Sequence, residues 1–169
     1  MTQASEEPRG LKGWLLLVGL GITLSPVRIL WDLFKIYLPA FTDGTWSVYT
    51  DPASPDYTPH YGSSVVIETL LNVALFLYAL LVAFLFYSKS RFFPKLYIGL
   101  LLTYSAFTIA SAWLRTWPYP DEAIFSEETI PDIFRSFIPC AIWIPYMLLS
   151  KRVRNTFVAV PLEEDEEPV

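Results

Sequence analysis

Residues 62–88 read GSSVVIETLLNVALFLYALLVAFLFYS, and this stretch decides the fold. Glu68 is its one charged side chain. A bilayer core of ~30 Å needs about 20 mainly apolar residues in a helix that rises 1.5 Å per residue. Working outward, three further apolar runs have the required length: 11–38, 93–114 and 130–150. The cleanest part of the first is 13–30, interrupted only by Arg28. Backbone polar groups in lipid must be satisfied within the chain, so each run is expected to be helical. Alternating segments of about 10 residues, as a barrel requires, are not seen. The expected fold is all-α, an integral membrane bundle of four transmembrane helices.

The loops set the expected orientation. Arg9 and Lys12 precede the first run, Lys89, Arg91 and Lys95 separate the second from the third, and Lys151, Arg152 and Arg154 follow the fourth. These are eight of the 12 basic residues. Loop 39–61 has no basic residue but holds Asp43, Asp51 and Asp56. Loop 115–129, with the start of the fourth run, sets Arg115 and Arg135 against Asp121, Glu122, Glu127, Glu128 and Asp132. Basic loops stay cytoplasmic. The bias is met by both termini inside and loops 39–61 and 115–129 outside. Trp and Tyr prefer the headgroup level. Trp14 and Tyr87 flank the inner ends, and Trp31, Tyr37, Trp46, Trp113 and Trp117 the outer ones. The first run is expected to be a retained span and not a signal peptide, because Leu24-Ser25-Pro26-Val27-Arg28 has no small-x-small cleavage site.

The resulting division is a cytoplasmic arm at 1–10, a membrane domain at 11–150, a basic juxtamembrane segment at 151–160 and an acidic tail at 161–169. The tail carries Glu163, Glu164, Asp165, Glu166 and Glu167 between Pro161 and Pro168, and is expected to be disordered and solvated. It also accounts for the net charge of -5. The basic residues are spread over short segments that set topology, so nucleic-acid binding is not supported. The single cysteine, Cys140, allows no internal disulfide and reads as a small buried hydrophobe. No Asn-x-Ser/Thr acceptor occurs, which is compatible with a bacterial origin. There is no internal repeat with paired broken helices, the pattern of inverted-repeat transporters.

Charged residues at membrane depth are the candidates for function. Arg28 and Asp32 sit four apart near the outer end of the first run and share a helix face. Glu68 lies ~9 Å below the outer end of the second, with Asn72 one turn further on. Arg115 ends the third run, and Asp132 and Arg135 begin the fourth. An ionised group in lipid costs a few kcal/mol or more, so it must pair, snorkel or line water. The basic residues can snorkel to the headgroups, but Glu68 is too short. It is expected to pair with Arg28, Arg115 or Arg135, as a structural link or as part of an outward-open polar cavity. Pro26, Pro139 and Pro145 each remove a helical hydrogen bond. Gly21/Ser25 and Ala106/Ala110 have the spacing of close helix contacts.

Catalytic patterns are not found. His60 is the one histidine, on an outer loop, where Asp51 and Asp56 could join it around a metal; an ordinary loop residue is the simpler reading. Gly19 and Gly21 lie inside an apolar run with no strand before them, so they do not form a phosphate loop.

Two segments carry a family resemblance. The start reads Leu11-Lys12-Gly13-Trp14-Leu15-Leu16-Leu17 and then Leu24-Ser25-Pro26. The end reads Ile142-Trp143-Ile144-Pro145-Tyr146 and runs through Ser150-Lys151-Arg152-Val153-Arg154-Asn155-Thr156-Phe157. Together they resemble the bacterial membrane family called domain of unknown function 2569. The resemblance spans about 9–157 and implies a four-span protein of the bacterial inner membrane, with no activity attached.

Lys151, Arg152 and Arg154 are expected to anchor the fourth span at anionic headgroups, and Phe157 to fold back to the interface. With Phe157 they are also candidate contacts for lipid or a cytoplasmic partner. The expected function is that of an accessory or interaction protein without enzymatic activity or cofactor. Its partners would be membrane lipids and another membrane protein or a second copy. The alternative is a small-solute or proton-coupled transporter built around Glu68.

Overall fold

The computed structural model describes residues 10–119, 121, 123–127 and 129–157. The arm before Gly10 and the acidic tail lie outside them. Helix α1 spans Trp14–Asp32 and continues through a π-turn at Leu33–Tyr37 into α2, Leu38–Thr42. A short α3, Thr45–Thr50, follows in the first loop. The long helices are then α4 (Tyr61–Tyr87), α5 (Phe93–Thr116) and α6 (Thr129–Leu149), and a final short helix α7 covers Lys151–Thr156. Four of the resulting helical segments are long and apolar enough to cross a membrane, with α1 and α2 acting as one span over Trp14–Thr42. No strand occurs among the described residues. The expected four-helix, all-α architecture is borne out.

The first span ends four residues later than its apolar run implied, and Pro39 supplies the reason. Proline has no N–H, so the carbonyl four residues earlier, that of Lys35, is not engaged by it. The helix widens instead of ending: the Leu38 N–H donates to Leu33 O, five residues back. The helix resumes with Pro39 in its first turn, where a missing N–H costs nothing. Residues 39–42, expected to begin the outer loop, are therefore helical.

The helices pack in series: α1 on α4, α4 on α5 and α5 on α6. No comparable packing joins α1 to α6. One buried stripe on α4 organises this layer: Ser64, Glu68, Asn72, Leu75, Ala79, Val82 and Phe86. The steps of three and four keep the stripe on one helix face. Its first three members are polar and the rest apolar. The apolar core consequently gathers at the end where the termini meet, around Leu15, Val18, Val82, Phe86 and Phe93. The Gly10 N–H donates to Thr156 Oγ1 at 3.0 Å, so both described termini lie at that end, the terminal face. The opposite end, with α3 and the loop before α6, is the loop face.

Leu70, Leu77, Phe84, Phe134 and Leu149 are all exposed, as lipid-facing helices require. The close contact of α1 with α4 falls at Gly19, where a Cβ would stand 2.9 Å from the Phe86 ring. It does not fall at Gly21 and Ser25, as their spacing suggested. A Cβ at Gly21 meets nothing within 4 Å, and the Ser25 hydroxyl donates to the Gly21 carbonyl of its own helix. A small residue permits close approach only if its face points at a neighbour, and that face of α1 points into open space. Ala106 is likewise exposed.

Candidate functional site

The polar half of the α4 stripe builds the site. Glu68, with its side chain 9% exposed, accepts from Arg115 Nε at 3.3 Å. Arg115 reaches it from the last turn of α5, so the pair ties α4 to α5 near the loop face. One turn deeper, Asn72 Nδ2 donates to the Tyr37 hydroxyl at 2.9 Å and to the Glu68 carbonyl at 3.0 Å. This ties α4 to the π-turn of the first span. Tyr37 feels the charges of both Glu68 and Arg115. A buried carboxylate is tolerated only when paired, and here three of the four spans, all but α6, contribute to the network.

The other charged candidates pair locally. Arg28 Nε lies 4.0 Å from Asp32 on α1, and Arg135 Nη1 lies 3.3 Å from Asp132 on α6. Of the three basic residues considered for Glu68, only Arg115 reaches it among the described residues. Arg28 and Arg135 stay with carboxylates of their own helices, which are nearer.

Beside the network lies a cavity of about 400 Å³. Arg28, Asp32, Asn72, Arg115 and Asp132 line it; Glu68 and Arg135 do not. The cavity occupies the gap that the serial packing leaves between α1 and α6. At the end nearer the terminal face Trp14 and Trp143 partly bridge that gap, with ring centroids 6.2 Å apart. From the charged mouth it extends past Asn72 to Leu75, Ala79 and Leu100, where its wall is apolar. Ser111, one turn below Arg115, also lines it, and its buried Oγ has no hydrogen-bond partner.

Sequence reasoning missed Tyr37 and Ser111. Tyr37 was read as an interface aromatic, but its inward position follows from the π-turn. Ser111 was findable, because a residue four before Arg115 shares its helix face. Between α5 and α6, the Ser105 hydroxyl donates to the Ser136 carbonyl at 3.0 Å and lies 3.4 Å from the Cys140 thiol. Cys140 is buried, as expected for a small hydrophobe.

The terminal face holds the second group of candidates, and two of them turn inward. Phe157 is 3% exposed and packs on Phe93 and Phe86 at ring distances of 4.5 and 5.9 Å. Val153, on the same face of α7, is also buried. The Ser150 hydroxyl caps α7 by accepting from the Val153 N–H. Arg152 rests against Gly13, whose Cβ position is 3.1 Å from Nη1. Phe157 and Arg152 are thus engaged by the chain's own core and N-terminal turn. Phe157 therefore does not fold back to the interface as expected, because the short apolar side of α7 gains more from burial beneath the bundle; Arg152 remains half-exposed. Lys151 and Arg154 remain exposed.

On the loop face His60 stacks on Trp117 with ring centroids 5.3 Å apart, linking the two loops. No group of three or more His, Cys, Asp or Glu suited to a metal ion occurs among the described residues. Asp43 accepts from the Thr45 N–H at 2.9 Å. The Thr45 side chain and N–H together hold its carboxyl below the ordinary aspartate value.

Four apolar spans, a half-buried ion pair at one end and a sealed core at the other define a multi-pass helical membrane protein. The chain belongs to the family described as "Protein of unknown function (DUF2569)", whose model matches residues 8–158. No curated protein and no solved structure matches it.

Proposed function

We propose that this is a non-catalytic accessory or interaction protein of the bacterial inner membrane, with both termini in the cytoplasm. The observation that carries the reading is the Glu68–Arg115 pair. Among the described residues, the one carboxylate buried at membrane depth is already engaged by a guanidinium of the same chain, so it serves to join helices. The functional surface is then what the bundle presents outward: its lipid-facing flanks, the loop face, and the exposed Lys151 and Arg154. The orientation rests on the eight basic residues concentrated at the terminal face and its arms. Reporter fusions test it: a fusion after Arg154 should report cytoplasm, and one between Asp51 and Pro59 the outside. An external C-terminus overturns the topology. Cross-linking in native membranes followed by co-purification tests the role. A reproducible partner, lost on charge reversal of Lys151 and Arg154 or on loop substitution, supports it. A chain that cross-links to nothing under saturating conditions overturns it.

A carrier of small solutes or protons is the second reading, and the depth of the cavity favours it. Its wall continues past Asn72 to Ala79. In proteoliposomes with an entrapped pH-sensitive dye, a proton-coupled carrier would give a flux that Glu68→Gln abolishes.

A further inference from the structure

The cavity has a shape and a lining that call for one kind of occupant. Along α5 it runs from Arg115 to Tyr97, which is ~27 Å of helix. Its volume, about 400 Å³, is within the range of ~300–1,000 Å³ usual for small-molecule sites. Spread over that length, it is a narrow slot. A helix is ~10–12 Å wide with its side chains, so neither a partner helix nor a second copy fits the slot. An extended hydrocarbon chain does.

The slot also opens in the right direction. It lies between α1 and α6, which do not pack on each other as their neighbours do. Gly21 and Ser25 on its α1 wall are exposed, so the gap is not sealed toward the bilayer. The lining changes from apolar at Leu75, Ala79 and Leu100 to charged near the loop face. That gradient matches a molecule with a tail and a polar head.

The charges at the mouth identify the head. Arg28 and Asp32 of α1, Arg115 of α5 and Asp132 of α6 all line the cavity. With Glu68 behind Arg115 and Arg135 behind Asp132, the cluster is balanced overall. A balanced mouth gives no net attraction for an anion. It can serve a group that carries both signs. Arg115 uses Nε on Glu68 and still has 63% of its side chain exposed. Arg28 is 78% exposed, and its contact with Asp32 is at the 4.0 Å limit of an ion pair. Both guanidiniums can therefore take phosphate oxygens, the geometry they suit best. Carboxylates accept hydrogen bonds, so Asp32 and Asp132 suit a primary ammonium, which has three donors. The orphan Ser111 hydroxyl, buried one turn below Arg115, stands where the ester region of such a molecule would pass. An unpaired buried hydroxyl is costly, and an ester oxygen would satisfy it.

We propose that the cavity binds a single phospholipid with a phosphoethanolamine headgroup, drawn sideways from the bilayer between α1 and α6. The phosphate lies at Arg28 and Arg115, the ammonium at Asp32 and Asp132, and one acyl chain along α5. This goes beyond the accessory role and rests only on the four spans crossing a membrane.

The test is native mass spectrometry of the full chain released from mixed micelles of detergent with either phosphatidylethanolamine or phosphatidylglycerol. The expected result is a single retained phosphatidylethanolamine per chain and much weaker retention of phosphatidylglycerol. Gly21→Phe should fill the slot, because a Cβ there meets nothing within 4 Å, and retention should fall about tenfold or more. Arg28→Gln, at an exposed position, should lower it by about tenfold through loss of one charge-assisted contact. Ser25→Leu on the same wall is the second blocking variant, and circular dichroism confirms that each variant is folded. Equal retention of the two lipids overturns the headgroup assignment. Retention by folded Gly21→Phe and Ser25→Leu at the level of the unsubstituted chain overturns the site. Retention of no lipid overturns the proposal as a whole. The headgroup comparison needs no variant, and partner capture plays no part in it, so its failure is distinct from failure of the accessory role.

Discussion

Gly13 and Arg152 meet at the terminal face, 139 positions apart in the chain, where a Cβ on Gly13 would stand 3.1 Å from Arg152 Nη1. Gly13 precedes α1 with φ of 62° and ψ of -134°, a positive-φ conformation that L side chains rarely adopt. The same turn brings Gly10 to Thr156. The two segments that carry the family resemblance thus form one structural unit, with each explaining the other's residues.

Gly13→Ala should therefore be destabilising twice over, through its backbone and through Arg152. That backbone conformation alone costs an alanine roughly 1–3 kcal/mol. In detergent, thermal unfolding should shift down for Gly13→Ala and less for Arg152→Ala. The double variant should fall short of the sum, because both changes act on one contact. Strict additivity would show that the two residues do not interact.

The Glu68–Arg115 pair is asymmetric, and its variants should be too. Arg115→Gln leaves a buried carboxylate without its partner, whereas Glu68→Gln leaves a guanidinium that is 63% exposed. Loss of one partner of a fully buried pair costs ~3–5 kcal/mol; exposure of Arg115 discounts this to about half. Arg115→Gln should lower detergent stability more than Glu68→Gln. Both should exceed Asp56→Asn on the exposed loop. The reverse order in a melting series would mean that Glu68 has another partner or is neutral.

Phe157 is the aromatic cap of the core and not an interface anchor. Phe157→Ala should cost ~3–5 kcal/mol, as buried phenylalanines do. Lys151→Ala, at an exposed position a turn and a half earlier, should cost less than about 0.5 kcal/mol. Denaturation followed by tryptophan fluorescence distinguishes the two.

Asp43 should titrate with a midpoint below that of an ordinary aspartate, since Thr45 hydrogen bonds favour its charged form. The sign follows: its contribution to the α2–α3 turn is present above the unfolded-state pKa and is lost as pH falls through the lower folded value. A carboxyl titration by NMR should show the depressed midpoint in the native protein, and Thr45→Ala should raise it. A midpoint unmoved by Thr45→Ala would remove the assigned cause.

Much of this architecture could be read directly. An unbroken run such as 62–88 has only one stable form in lipid, because its backbone must satisfy itself. The four spans followed from that local requirement. So did the burial of Cys140 and the need for Glu68 to find a base. What could not be read was which base and which face. Arg28, Arg115 and Arg135 are equivalent in one dimension, and only the packing of α5 on α4 puts Arg115 at 3.3 Å. Gly19 and Gly21 are equally small, yet only Gly19 meets a neighbour. In a membrane helix every face is apolar, so hydropathy carries no information about which side points inward. That choice was left to interlocking side chains, to the π-turn imposed ahead of Pro39, and to Phe157 folding beneath the core. The sequence by itself determined that the chain crosses the bilayer four times, because the solvent demands it. The tertiary structure alone decided the cavity between α1 and α6, because a gap is a property of helices that do not pack along their length, and no single helix encodes it.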